Sequence, residues 1–296
     1  MFLVTLAAIS GGCGGRTIKT TTQLPPQSKP VIRDSSREEL LEKYNEFAHS
    51  VSTVSATVEL RPVTGSKYSG VIEEYHEVKA FLLAQRPALI RMIGQAPVIG
   101  TTVFDMASDG KTFRVFVPSK NKFLAGSVTA ERASEKPIEN LRPQHLLDAL
   151  LWPEVRKEES VLFEEFNDET ARYYVLTVLH GGYHTEILRK IWFSRSDLLP
   201  ARLQTFGSKG ILLSDVRLSD WQPLTKEEIS PVSAMPSAAS AFPRQIRIER
   251  PHDDYRLDLQ ITKLLLNEQL PPDRFKLDQP PGSDLVRVGE TEEKPR

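Results

Sequence analysis

The residues able to carry chemistry are scattered along this chain rather than gathered. Of the six histidines, His49, His76, His145, His180, His184 and His252, only His180 and His184 lie close together. Gly181, Gly182 and Tyr183 between them read as a hairpin turn. Tetrahedral zinc wants three or four converging ligands, so a solvated turn is the better reading and no metal is expected. The carboxylate pairs Glu73-Glu74, Glu158-Glu159 and Glu164-Glu165 occur in strand-like surroundings, where neighbouring side chains point to opposite faces. None can work on one substrate as a carboxylate dyad, and adjacent acids on edge strands serve solvation and discourage edge pairing. There is no Gly-x-Ser-x-Gly elbow and no phosphate loop, and Gly207-Ser208-Lys209-Gly210 is a turn. No catalytic residue and no cofactor are expected.

The single cysteine, Cys13, follows an apolar stretch from Phe2 to Ile9 and the small residues Ser10-Gly11-Gly12. That stretch is too short to span a bilayer. A short apolar core ended by small residues and then cysteine resembles a lipoprotein export signal, in which the cysteine is acylated and becomes the first mature residue. Cys13 is therefore expected to be a membrane anchor; the alternative is a free thiol in the N-terminal segment. With one cysteine there is no intrachain disulfide.

Lys plus Arg (38) nearly equals Asp plus Glu (39) among the 296 residues, so no basic footprint for nucleic acid stands out. Hydrophobic residues at 40% and charged residues at 26% give the balance of a globular domain with a sizeable core.

The elements that must position any site follow from periodicity. Residues 14–35 are polar and proline-bearing and read as a tether. Ser36 with Glu39 makes a capping box, and Leu40, Leu41, Tyr44, Phe47 and Ala48 recur at helical spacing, which predicts a helix over 36–50. From Val51 the period becomes two, with Val54, Ala56, Val58 and Leu60 on one side, and a turn is expected at 62–66. Strands are predicted over 68–85, 88–94, 101–107, 112–117 and 122–126. A second helix is expected over 137–152, with Leu141, His145, Leu146, Ala149 and Leu150 at helical spacing and Pro153 after it. Strands resume over 160–166, 172–179, 185–194, 201–206, 210–219, 244–249 and 255–264, interrupted by a small-residue loop over 226–242. Such a meander of roughly a dozen strands curls into a barrel or half-barrel.

Two short runs resemble a known family. Gln85-Arg86-Pro87-Ala88-Leu89-Ile90-Arg91 and Ser108-Asp109-Gly110-Lys111-Thr112-Phe113-Arg114-Val115-Phe116-Val117-Pro118 are similar to the Arg-Pro strand and Ser-Asp-Gly-Lys hairpin of the outer-membrane lipoprotein carrier and receptor family, the LolA and LolB proteins. Ile191-Trp192-Phe193 leading to Leu199-Pro200-Ala201-Arg202, and the ending Phe275-Lys276-Leu277-Asp278-Gln279-Pro280-Pro281-Gly282, resemble the family's later strands and closing segment. The resemblance implies a mainly β fold, an unclosed antiparallel half-barrel of roughly a dozen strands with a helical lid. It also implies an apolar cavity for lipoprotein acyl chains, and for Arg86 the role of latching the lid by hydrogen bonds.

The organisation expected is thus an export signal over 1–13, a tether over 14–35, a LolA/LolB-like domain over 36–282 and a polar tail over 283–296. The cavity is expected to be lined from among Val58, Leu60, Leu89, Phe104, Met106, Phe113, Val115, Trp192 and Phe206; a one-residue slip of register would exchange that set. A curved sheet with two helices has incomplete cover, and burial returns about 0.8 kcal/mol per methylene, so an acyl chain could be held without catalytic groups. The expected protein is a monomer anchored at the periplasmic face of the outer membrane, holding a lipid or an acylated lipoprotein during sorting. The alternative is an envelope scaffold or regulatory protein whose curved sheet is filled by its own side chains and whose surface binds a protein partner.

Overall fold

Ser36 opens the first helix as its sequence requires: its hydroxyl accepts from the Glu39 amide at 3.2 Å, and the Glu39 carboxylate accepts from the Ser36 amide at 3.1 Å. In the computed structural model this helix, α1, spans Arg37–Ser50 and buries Leu40, Tyr44, Phe47 and Ala48. The structure describes residues 31–66, 71–74, 76–97, 99–129, 142–168, 171–181, 185–231 and 240–288. Contacts divide the chain into Met1–Val31 and Ile32–Arg296, and the elements below belong to the second unit. Cys13, the export signal and tether up to Pro30, His184, the start of the second helix before Arg142, the middle of the 226–242 loop and the tail from Gly289 lie outside the described residues.

The strands are β1 Thr53–Ser66, β2 Val71–Glu74, β3 Val78–Gln85, β4 Leu89–Gln95, β5 Thr102–Ser108, β6 Thr112–Val117 and β7 Lys122–Ser127, then helix α2 Pro143–Leu150. They continue with β8 Ser160–Asn167, β9 Arg172–His180, β10 Glu186–Ser194, β11 Pro200–Phe206, β12 Leu212–Pro223, β13 Ala241–Arg250, β14 Tyr255–Leu266 and β15 Asp284–Val288. All join one 15-stranded sheet in the order β15-β7-β6-β5-β4-β3-β1-β14-β13-β12-β11-β10-β9-β8, with β2 beside β1. The two ends of that order do not meet, so the sheet is an unclosed barrel, as expected. Among the described strands every pairing is antiparallel except that of β15 with β7.

Three local differences from the sequence reading have physical causes. The turn expected at 62–66 is instead the second half of β1, because Pro62 falls between the pairing with β3, which ends at Leu60, and that with β2, which begins at Val63; a missing amide costs nothing there. The stretch 68–85 contains two strands, β2 and β3, rather than one. Residues 284–288, read as the start of a polar tail, form β15, tied down as Asn121 donates through its side chain to Gly282 O at 2.8 Å and Asp284 donates to Asn121 O at 2.9 Å.

Alternation then decides the two faces. Val54, Ala56, Val58 and Leu60 of β1, Ala80, Leu82 and Ala84 of β3, Ile90 and Met92 of β4 and Met106 of β5 are buried in one core with Leu40, Tyr44 and Phe47 of α1 and Leu146, Leu147 and Leu150 of α2. Both helices therefore lie on one face, which we call the inner face. On the other face a small cluster of Ala107, Phe123 and Leu277, with Phe116 and Ala125, is covered by the segment after β14. Arg91 donates to Arg274 O and Lys276 O, and Arg114 to Leu277 O, holding that segment down.

Candidate functional site

The inner face is a chamber whose wall is sheet and whose filling is two helices. Pro143 opens α2 where an amide has no partner to lose, and Leu146, Leu147, Ala149 and Leu150 turn inward at helical spacing. After the helix, Trp152 becomes the centre of an aromatic group. Its ring stacks on Phe47 with centroids 4.1 Å apart and on Tyr44 at 5.7 Å, and Trp221 meets it edge-on at 6.0 Å. Such pairs contribute about 0.5–1.5 kcal/mol each beyond their burial.

Polar bonds fix the helices to each other and to the sheet. Arg86, at the end of β3, donates from Nε to Val51 O at 3.0 Å and from Nη2 to Ala48 O at 2.8 Å and Trp152 O at 2.7 Å. One side chain on the sheet thereby satisfies carbonyls at the end of α1 and just after α2. Burial lowers the Arg86 guanidinium from its ordinary value, against the pull of Tyr44 and Glu154. Tyr44 donates to Pro153 O at 2.9 Å, and Asn45 exchanges two bonds with the Val155 backbone at 3.0 and 2.9 Å.

The sequence-predicted lining residues fall into three groups. Val58, Leu60, Met106 and Phe113 are fully buried, and Val58, Leu60 and Met106 belong to the main core, with Phe104 and Val115 half-buried against it. Leu89 and Trp192 point the other way, since their neighbours Ile90, Ile191 and Phe193 are the buried members of those strands. Trp192 lies among Phe166, Tyr173 and Arg202 instead. Phe206 is half-buried and is not packed into the core, because β11 and β12 shift register between Thr205 and Phe206. Two of the predicted rings sit in notches left by glycine: a Cβ on Gly94 would meet the Phe104 ring at 2.3 Å, and one on Gly126 the Phe113 ring at 2.8 Å.

The helices do not fill the chamber evenly. Against β10, β11 and β12 a cavity of about 200 Å³ remains, bounded by Tyr44, His145 and Asp148 on the helix side and by Arg189, Ile191, Leu203, Thr205, Ser214 and Val216 on the sheet side. His145 pairs through Nδ1 with the Tyr255 hydroxyl. Burial, with Arg250 and Arg142 nearby, holds His145 well below its ordinary value. Asp148 is exposed as a residue, yet its carboxyl forms part of the cavity wall; burial pushes it from 3.8 to about 6, offset in part by Arg250. Arg189 donates to Glu159 at 2.5 Å and to Glu154 O at 2.7 Å, while its Nε is buried without a partner among the described residues.

No protein-family model matches this sequence, and no curated protein matches it. Among solved structures, the chain is similar to a LolA-superfamily protein of Nitrosomonas europaea, at 14% identity over 82% of this chain and 99% of that one with a TM-score of 0.48. A domain assigned as an outer membrane lipoprotein-sorting protein from Vibrio parahaemolyticus gives 11% identity over 80% and 96% with a TM-score of 0.48. A DUF1329-family protein of Desulfovibrio piger gives 12% over 81% and 96% with a TM-score of 0.46.

The unclosed barrel itself rests on the sheet order and helix placement described above.

Outside the chamber the chemistry stays sparse. Among the described residues no group of three or more His, Cys, Asp and Glu converges. Glu158 and Glu159 precede β8 instead of lying in a strand, and Glu159 is taken by Arg189. On the outer face a trough of about 470 Å³ runs over the small residues Ser55 and Thr57, between Phe81, Leu83 and Ile93 on one side and Lys263 and Leu265 on the other. Sequence reading missed Trp152, Tyr44 and Asn45 as the groups that lock the helices. The one signal for Trp152 is its place beside Pro153 at the helix end.

Proposed function

We propose that the chain is a non-catalytic binding protein that holds the acyl chains of lipoproteins or other lipids against the inner face of its half-barrel. It is lipid-anchored through Cys13 at the periplasmic face of the outer membrane and acts in lipoprotein sorting or transfer. The observation that carries this reading is the manner of cover: an unclosed apolar sheet is closed over by two helices that one arginine, Arg86, ties down through three backbone carbonyls. The 200 Å³ left beside them is below the ~300–1,000 Å³ of ordinary ligand pockets. A whole acyl chain therefore enters only as the helices swing away, with Arg86 as the latch of that lid. No helix of the described residues is long and apolar enough to cross a membrane, and the anchor rests on the signal ending at Cys13.

A second reading has its own observation. Leu40, Val54, Val58, Leu82, Ile90, Met92, Met106 and Leu146 are essentially without exposure, which is what a self-filled envelope scaffold that binds a protein partner needs. One experiment separates the two. Full-length protein purified from bacterial membranes is subjected to native mass spectrometry and organic extraction, and Arg86→Ala is compared with the parent for uptake of a fluorescent fatty acid. A stoichiometric lipid, with faster uptake by the variant, is the expected result; an empty protein in which neither form takes up the probe supports the scaffold.

A further inference from the structure

The sheet ends in two strands of opposite condition. At one end the chain's own C-terminal strand β15 is laid in parallel on β7, from Asp284 beside Lys122 to Val288 beside Gly126. At the other end β8 pairs, among the described residues, with β9 alone, in unbroken register from Ser160 beside Leu179 to Asn167 beside Arg172. A bare edge offers a row of amides and carbonyls to any extended chain, and proteins commonly blunt it with Lys, Pro, a bulge or a short strand. The eight residues of β8, Ser-Val-Leu-Phe-Glu-Glu-Phe-Asn, contain no Lys and no Pro, and its pairing shows no bulge.

The side chains on that edge are apolar on both faces. Leu162, Phe163 and Phe166 are 53%, 39% and 44% exposed. Phe166 meets Trp192 edge-on at 5.3 Å on the outer face, and Phe163 leans on Tyr174 at 5.2 Å on the inner face. Each face thus ends in an aromatic step against which one more strand could lay its side chains. The charges on β8 are of one sign: Glu164 has no partner among the described residues, and Glu165 is held by Arg195. A second copy of β8 would bring its own Glu164 and Glu165 alongside these, and like charges on paired strands destabilise. The same carboxylates favour an incoming strand that carries cations.

We propose that the edge of β8, open among the described residues, receives an extended peptide segment of a partner protein as an added strand of the sheet, apolar apart from one Lys or Arg opposite Glu164. Main-chain hydrogen bonds supply the affinity in this mode and the alternating side chains supply the selection. Leu162, Phe163 and Phe166 select the apolar positions, and Glu164 selects Lys or Arg.

The test uses the full-length protein and a fluorescein-labelled, end-blocked octapeptide with one central Lys among Val and Thr residues. Anisotropy reports binding, and amide hydrogen exchange reports on β8. The expected result is binding that slows exchange within Ser160–Asn167. Replacing that Lys by Glu in the peptide weakens binding about fivefold or more, and N-methylating alternate peptide amides abolishes it. Glu164→Lys, at an exposed position with no partner to lose among the described residues, reverses the preference between the Lys and Glu peptides. No binding, binding that leaves β8 exchange unchanged, indifference to Glu164→Lys, or self-association of the protein through β8 on sedimentation would each overturn the proposal.

Discussion

The two halves of the inner face solve the same problem differently. Beneath β1, β3, β4 and β5 the cover is apolar: Val58, Leu82, Met92 and Met106 share one buried cluster with Leu146 and Leu150, and none retains appreciable exposure. Beneath β10, β11 and β12 the helices present Tyr44, His145 and Asp148 instead, and a cavity stays open between them and Ile191, Leu203 and Val216. The first half holds the helices by burial, which is strong and indifferent to direction, and by the three carbonyl bonds of Arg86 at the end of β3. The second leaves polar groups facing an open cavity, with Arg189 of β10 bonded to Glu154 O just after α2.

The sharpest way to break that comparison is to remove the residue shared by both halves. Trp152→Ala deletes the ring stacked on Phe47 and Tyr44 and is expected to cost about 3–5 kcal/mol in urea unfolding; a cost below about 1 kcal/mol would mean that the helices are not fixed through this ring. Next in size is a matched pair. Leu146→Ala sits in the apolar half, and its cost should fall toward the upper end of the ~2–5 kcal/mol seen for such truncations. Leu203→Ala sits beside the cavity, where neighbours can relax, and should fall toward the lower end. Equal costs would show that the two halves are packed alike.

The smallest effect is one of pH. Asp148 is pushed from 3.8 to about 6 by burial, so the folded chain binds its proton more tightly than the unfolded chain does. Its favourable contribution is fully present below the ordinary carboxylate value and is lost as pH rises through about 6. Asp148→Asn removes that loss. Because the residue keeps solvent access, screening limits the gain to about 1–3 °C in Tm above pH 7, with no difference at pH 4. A variant equally shifted at both pH values would assign the effect to packing rather than to the proton.

What could be read from the residues alone follows from where the signal is local. Ser36 and Glu39 announced α1, because a capping box needs only residues three apart. Val58 and Leu60 share a face with Val54 and Ala56 because β1 alternates cleanly, although alternation alone does not say which face is the inner one. Leu89 and Trp192 went to the wrong face because Leu89-Ile90 and Ile191-Trp192-Phe193 are apolar at successive positions, and a run without alternation carries no phase. β15 escaped because its partner is β7, far back in the chain. The bonds of Tyr44 to Pro153, Asn45 to Val155 and Arg189 to Glu159 escaped for the same reason. Arg86 was singled out only through the family resemblance, and its carbonyl partners were invisible without the fold.

The pairing at the middle of the sheet governs when this protein can become itself. β1 lies against β14 from Val54 beside Leu266 to Thr64 beside Tyr255, and Asn267 closes the junction by accepting from Ser52, 215 positions away, at 2.8 Å. Nothing central can be completed until nearly the whole chain exists, and contacts so distant in sequence make folding slow. A chain leaving the ribosome stays open and threadable until its last strands emerge. That delay leaves β1 unpaired on one side until β14 has been made.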